Sequence, residues 1–316
     1  MSIWNRPSYL LLVLPTVLLA ASQENRDGLL PPATLDRSAG VARIRQALAA
    51  NDLVLARKES EELAGREPQN FEGPFWAGYL AFRQGLYYDA IRELRRAEAL
   101  DPTPFVLKLL AVSYYAAHQQ RLFLLKIRAA QQKQPEDFAP YYYLGRYYDS
   151  DLTDFSRAAG YFEQALARQP DHFRSHYYLG HCFEAEGKVE QAQAQYRRAL
   201  ELAQSQEAKD GSLPYQGLAR LELSANRPAD ALGFAKRAVE LGPRDAAGRK
   251  LLAKAYSDLG RNAEAAAEWK IAAELDPTDA SALYRLYRGY LSLGEADKAD
   301  QALARYKQIA GLYGTN

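Results

Sequence analysis

"SDLGRNAEAAAEWKIAAELDPTDA", residues 257–280, holds three consecutive alanines, one tryptophan and a closing Asp-Pro, and no side chain of catalytic type. Just upstream, "AAGRKLLAKAYSDLG" (246–260) places Leu251, Leu252, Ala255, Tyr256 and Leu259 on one side of a helix, because residues three and four apart share a helical face. Gly260 ends that helix, since glycine tolerates the left-handed backbone that a helix terminus favours. "AEAAAEWKIAAEL" (263–275) supplies a second helix, and Pro277 stands just beyond its end, where it cannot continue the hydrogen-bond ladder. The stretch reads as two helices joined by a tight turn, built for close contact.

The same pattern recurs along the chain. Pro68, Pro102, Pro135 and Pro170 are 34, 33 and 35 residues apart, and Pro243 and Pro277 are 34 apart. Ala56, Ala90, Ala158, Ala192, Ala231, Ala265 and Ala299 follow at intervals of 34, 68, 34, 39, 34 and 34. The interval of 39 marks an insertion, "QSQEAKDGS" at 204–212. A fixed period of this size is the signature of a stacked array. Eight units follow, at about 37–70, 71–103, 104–136, 137–171, 172–205, 212–245, 246–279 and 280–311.

These units resemble the tetratricopeptide repeat, a helix-turn-helix unit of 34 residues. In that family the eighth place is small because the two helices cross closely there. It holds Gly78, Ala111, Gly145, Gly180, Ala219 and Ala253. The second close approach, place 27, holds Ala97, Ala130, Ala165, Ala199, Ala238 and Ala272, and Trp269 is expected to fill the larger gap beside such alanines. The resemblance covers nearly all of the chain after residue 36. It implies an all-α fold, a right-handed superhelical solenoid of about eight repeats, with no room for a separate catalytic domain. Three departures stand out: Ile44 at the first small place, Tyr287 and Tyr306 at the last two, and Phe123 where alanine is usual in the third repeat. Terminal repeats are often atypical because one side has no neighbour.

The resemblance further implies that the first helices line a concave face. The corresponding places give Phe75, Tyr79 and Phe82, then Phe105, Lys108 and Tyr115, then Tyr142 and Arg146. Arg174, Tyr177 and His181 follow, and the last repeats add Arg220, Lys250, Lys254, Tyr284 and Arg288. The lining turns from aromatic to basic, which suits a peptide with apolar anchors and carboxylates, because arginine binds carboxylates bidentately. Glu72, Asp149 and Glu184 in the same stripes oppose that charge. Aromatics at these places serve equally well in packing between neighbouring repeats. No asparagine occupies a ninth place, so the lysine and asparagine clamp of the chaperone-tail-binding members is not expected.

Composition bounds the rest. With 316 residues, 48% hydrophobic and 25% charged, the chain is expected to fold. Forty basic against 39 acidic side chains, a net charge of +1, provide no whole-chain field for nucleic acid or an anionic membrane. A single cysteine, Cys182, excludes an internal disulfide and a multi-cysteine zinc site. Residues 1–22 read as an export signal: one arginine, a 13-residue apolar run from Tyr9 to Ala21, then small residues. That run is short of the roughly 20 residues that cross a bilayer. The mature chain is expected to begin near Ser22 or Gln23, periplasmic or extracellular, with membrane contact only through this segment if it stays uncleaved. Residues 23–36 read as a linker, in which Pro31-Pro32 bars a helix, and 312–316 as a tail.

"HFRSHYYLGHC" gathers His172, His176, His181 and Cys182. His176 and His181 diverge by about 140° on a helix and Cys182 directly follows His181, so no metal site is expected. No phosphate loop or Ser-His-Asp signature is legible. The sequence thus describes an exported, non-catalytic scaffold without a cofactor. It is expected to bind another protein or peptide segment, possible settings being envelope assembly or secretion. The competing reading is an accessory that binds a glycan or surface polymer through its tyrosines.

Overall fold

The computed structural model describes residues 28–30, 38–206, 208 and 211–313. The expected export signal, most of the expected linker and the last three residues lie outside the described residues. Sixteen helices and no strand are present among the described residues. They form eight hairpins: α1 (Ala39–Ala49) with α2 (Leu53–Arg66), α3 (Glu72–Arg83) with α4 (Tyr87–Leu100), α5 (Pro104–Ala116) with α6 (Gln120–Lys133), and α7 (Ala139–Ser150) with α8 (Phe155–Arg168). Then come α9 (Phe173–Ala185), α10 (Val189–Ser205), α11 (Ser212–Ser224), α12 (Pro228–Leu241), α13 (Ala246–Asp258), α14 (Asn262–Leu275), α15 (Ala280–Ser292) and α16 (Ala296–Tyr313). α10 absorbs the start of the expected insertion, and α16 runs two residues past the expected end of the array at 311.

The chain divides into two compact units between Tyr178 and Leu179, inside α9. Within the first unit, each hairpin packs its second helix on the next first helix: α2 on α3, α4 on α5 and α6 on α7. The second unit repeats this with α10 on α11, α12 on α13 and α14 on α15. Local contacts of this kind make each repeat depend on its neighbours for a core.

The hairpin turns share one backbone device. Gly85, Gly187, Gly260 and Gly294 have φ between 72° and 76°, as expected of Gly260 from sequence. Asn51, His118 and Asn226 hold the equivalent place at φ 56° to 57°, and Thr153 sits at φ 49° after a longer turn. Asn and His tolerate this region better than other side chains, whereas a β-branched threonine is strained there. The next amide then donates back to a carbonyl five residues earlier, Leu86 to Ala81 at 3.0 Å and Arg261 to Tyr256 at 2.9 Å, which closes the helix end.

The small residues sit where the helices touch. A Cβ on Gly78 would lie 2.6 Å from Leu94 Cγ, one on Gly145 2.7 Å from the Phe162 ring, and one on Gly180 2.9 Å from the Tyr196 ring. Glycine therefore faces a large side chain of the partner helix, and each pair fills one volume. The alanines at place 27 are all buried. Trp269 joins the core of the second unit with Leu252, Tyr256, Leu283 and Leu286, as the sequence suggested. The departures are accommodated. Ile44 is buried, Phe123 packs its ring 5.0 Å from Tyr115 and 5.5 Å from Tyr147, and Tyr287 and Tyr306 cover the end of the second unit's core.

Candidate functional site

The structure sorts the expected groove residues by exposure. Phe75 and Tyr142 are 1% and 2% exposed, and Phe82, Tyr115, Tyr177 and Arg174 are also buried. These six are packing residues here, a correction to their reading as open contacts. Their stripe faces neighbouring helices closely enough to shut out solvent. Tyr142 meets Tyr143, Phe162, His172 and Tyr178 within 6.2 Å. Phe75 packs edge-on against Trp76 at 5.5 Å, and Trp76 against the half-buried Tyr79 at 5.7 Å. Half-buried Arg146 lies 4.1 Å over the Tyr178 ring, with Nη1 donating to Tyr142 Oη at 3.2 Å. Burial works against its charge, but the phenols of Tyr178, Tyr142 and Tyr115 outweigh that and hold its pKa above the ordinary value. Burial likewise pushes the Tyr178 and Tyr115 phenols up.

The expected basic lining is largely neutralised inside the protein. Arg220 forks onto Glu184, Nε to Oε1 at 2.7 Å and Nη2 to Oε2 at 2.9 Å, and Tyr196 Oη donates to the same carboxylate at 2.6 Å. Lys254 pairs with Asp258 at 2.7 Å. Lys250 pairs with Asp279 at 2.7 Å, and buried Lys108 pairs with Asp137. His181 is half-buried.

The Lys108 and Lys250 pairs belong to a recurring clamp. Lys108 reaches Asp137, Gln216 reaches Asp245 and Lys250 reaches Asp279, each 29 residues further on. Each aspartate closes a Pro-x-Asp triplet and uses its other oxygen to cap the next helix, accepting from the amides of Ala139, Ala247 and Ala282 at 2.9 to 3.0 Å. One carboxylate thus ties a first helix to the start of the next. The sequence contains all three triplets, at 135–137, 243–245 and 277–279, and they are the signal that reading the inner stripe alone overlooks.

The clamp gives the second unit an acid limb. Burial opposes ionisation of Asp279, yet the Lys250 ammonium and the Ala282 and Ser281 amides prevail and hold its carboxyl below the ordinary value. A depressed native pKa contributes stability that is complete above the unfolded value, about 3.9, and is lost as pH falls through the native value. Hydrogen exchange across α13–α16 is expected to accelerate below pH about 4, and Asp279→Asn to flatten that dependence. Equal acid sensitivity of the two proteins would refute the assignment.

The second unit has an open cleft. This cleft of about 420 Å³ between α13, α14 and α15 is lined by Trp269, Tyr284, Arg285, Arg288, Asn262 and serines. Tyr284 is 42% exposed and Arg288 is exposed, one turn apart on α15. Arg285 lies 5.5 Å over the Trp269 ring, and Tyr306 backs Tyr284 at 5.3 Å. Two guanidinium groups beside two aromatic faces can hold a carboxylate and an apolar side chain together. The histidines are employed separately: His172 Nδ1 is 2.7 Å from Ser175 Oγ, His176 Nε2 is 2.9 Å from the Pro170 carbonyl, and Cys182 is buried.

Part of this run of helix pairs has a counterpart among known families. Residues 148–207 match the tetratricopeptide repeat. Around that tetratricopeptide segment, the fold of the chain resembles yeast Tom70, with a TM-score of 0.60, 15% identity, and coverage of 94% of this chain and 68% of that one. YrrB, described as a TPR protein with an unusual peptide-binding site, aligns at TM-score 0.43 and 22% identity, covering 58% of this chain and 91% of that one. PilF of Pseudomonas aeruginosa aligns at TM-score 0.45 and 16% identity, over 78% of this chain and 93% of that one. No curated protein matches the sequence.

Proposed function

We propose that this tetratricopeptide-repeat chain is a non-catalytic scaffold that holds a segment of a partner protein and acts outside the cytoplasmic membrane. The observation that carries the reading is the second unit's cleft, where Tyr284, Arg285 and Arg288 stand open beside Trp269 while the neighbouring cations are paired internally. An acidic segment with one apolar anchor fits such a site. The nearly balanced net charge of +1 supports a protein partner over nucleic acid. The apolar segment at residues 9–21 supports export, and envelope assembly or secretion is the setting that an exported scaffold would serve.

A photo-crosslinking residue at Tyr284, introduced in the native cells, is expected to capture a discrete protein in the envelope fraction, and Arg288→Ala to reduce that adduct about tenfold, the loss of one charge-assisted pair. An exported, folded protein that captures no protein, yet is retarded in gels containing polysaccharide, would overturn the reading in favour of polymer binding.

A further inference from the structure

We propose that the first unit carries a separate chain-recognition site at the start of α7, held at present by this chain's own residues 28–30. Its outside ligand is an extended partner segment of the same chemistry: a glycine carbonyl for Lys108, followed by two aliphatic side chains. The inference rests on the scaffold reading above and adds where a second segment binds, and what it must contain.

The docked residues define the site. Lys108 on α5 donates from Nζ to the carboxylate of Asp137 and to the main-chain carbonyl of Gly28, and lies 5.0 Å over the Phe105 ring. Gly28 has φ +66°, and a Cβ there would stand 2.8 Å from Ala139 Cβ and 3.2 Å from the Phe138 ring. Both the backbone angle and the space therefore demand glycine. Leu29 and Leu30 are buried, although they belong to no helix or strand.

A comparison within the molecule separates this site from the ordinary clamp. Lys250 makes the equivalent pair with Asp279 and keeps 31% of its side chain exposed, whereas Lys108 keeps 2%. The Gly28 carbonyl and the Phe105 ring are among the groups against the Lys108 ammonium. Burial lowers the lysine's hold on its proton and Asp137 only partly offsets this, so a carbonyl acceptor on the ammonium is worth more here than on a solvated lysine. A main-chain acceptor and two aliphatic side chains can be supplied by any extended chain with a glycine at the right point. Residues 28–30 lie in the same chain as the site, so a weak contact suffices to hold them. A partner segment must outcompete that tether, which makes the arm a guard on the site.

The test uses the full-length chain and a fluorescein-labelled synthetic peptide of residues 23–36, QENRDGLLPPATLD. Gly28→Val in the protein removes the arm from its place without touching α5 or α7. By fluorescence anisotropy, that variant is expected to bind the peptide at least ten times more tightly than the wild type. The labelled peptide with valine in place of its glycine should not bind, and Lys108→Met added to the Gly28→Val protein should abolish uptake. If the Gly28→Val chain, with native helix content, takes up no peptide, residues 28–30 are a structural tie only and the proposal falls. Equal binding by wild type and variant would remove the guarding role and overturn it too. A wild type that elutes as a concentration-dependent oligomer, made monomeric by Gly28→Val, would assign the arm to a second copy instead. Tyr284 is untouched by these variants, so the crosslinking result stands or falls separately.

Discussion

Phe162→Ala is expected to lower the stability of the first unit by about 3–5 kcal/mol. The ring is fully buried, stacks on Tyr178 at 5.6 Å and 16°, and lies 6.2 Å from Tyr142. Three of its carbons stand 2.7 to 2.9 Å from where a Cβ on Gly145 would be, so the glycine leaves no side chain that could move into the space. Tyr142 and Tyr178 are held by their own helices and by Arg146 between them, so the cavity collapses poorly, and a poorly collapsing site sits at the costly end of such substitutions. Denaturant unfolding followed by hydrogen exchange in α7 and α8 measures the loss. A change under about 1 kcal/mol would show that the ring is dispensable to the first unit.

The second large effect is a contrast between two glycines given the same substitution. A Cβ on Gly73 would lie 2.7 Å from both the backbone nitrogen and Cα of Ala64, whereas one on Gly160 meets nothing within 4 Å. Both lie in helices, where alanine is favoured over glycine by about 1 kcal/mol. At Gly160 that gain is unopposed, and Gly160→Ala should stabilise by about 0.5–1 kcal/mol. At Gly73 the clashing atoms are main chain and cannot rotate aside, so α2 and α3 must separate. Overpacking of this kind costs about 1–3 kcal/mol or more. Gly73→Ala should therefore come out destabilising despite its helix propensity. Thermal unfolding of both variants settles it: two shifts of the same sign would mean that α2 and α3 adjust freely.

Much of this architecture is legible before any coordinates. The period of Ala90, Ala158 and Ala192, the glycine at 260 and the small residues from Gly78 to Ala253 each report a local requirement of volume or backbone angle, which a sequence states directly. The groove is less legible. Helical spacing groups Phe75, Tyr142 and Tyr177 on one expected stripe, yet it carries no measure of how near the next helix comes, and these rings are buried. Tyr284 and Arg288 occupy the same stripe and remain open along the cleft of the second unit. The basic lining was misleading for a related reason. Lys250 reads as a free cation until stacking brings Asp279, 29 residues away, within 2.7 Å.

The amino-acid sequence by itself determined the unit, its length, its turn and the sizes of the residues at each crossing, because these depend on neighbours within one helix hairpin. Tertiary structure alone decided which side chains a partner can reach, which charges are already paired, and that Gly28 lies against Lys108, 80 residues away. The physical reason is that exposure and pairing depend on distances between segments far apart in the chain. Those distances exist only once the hairpins have stacked.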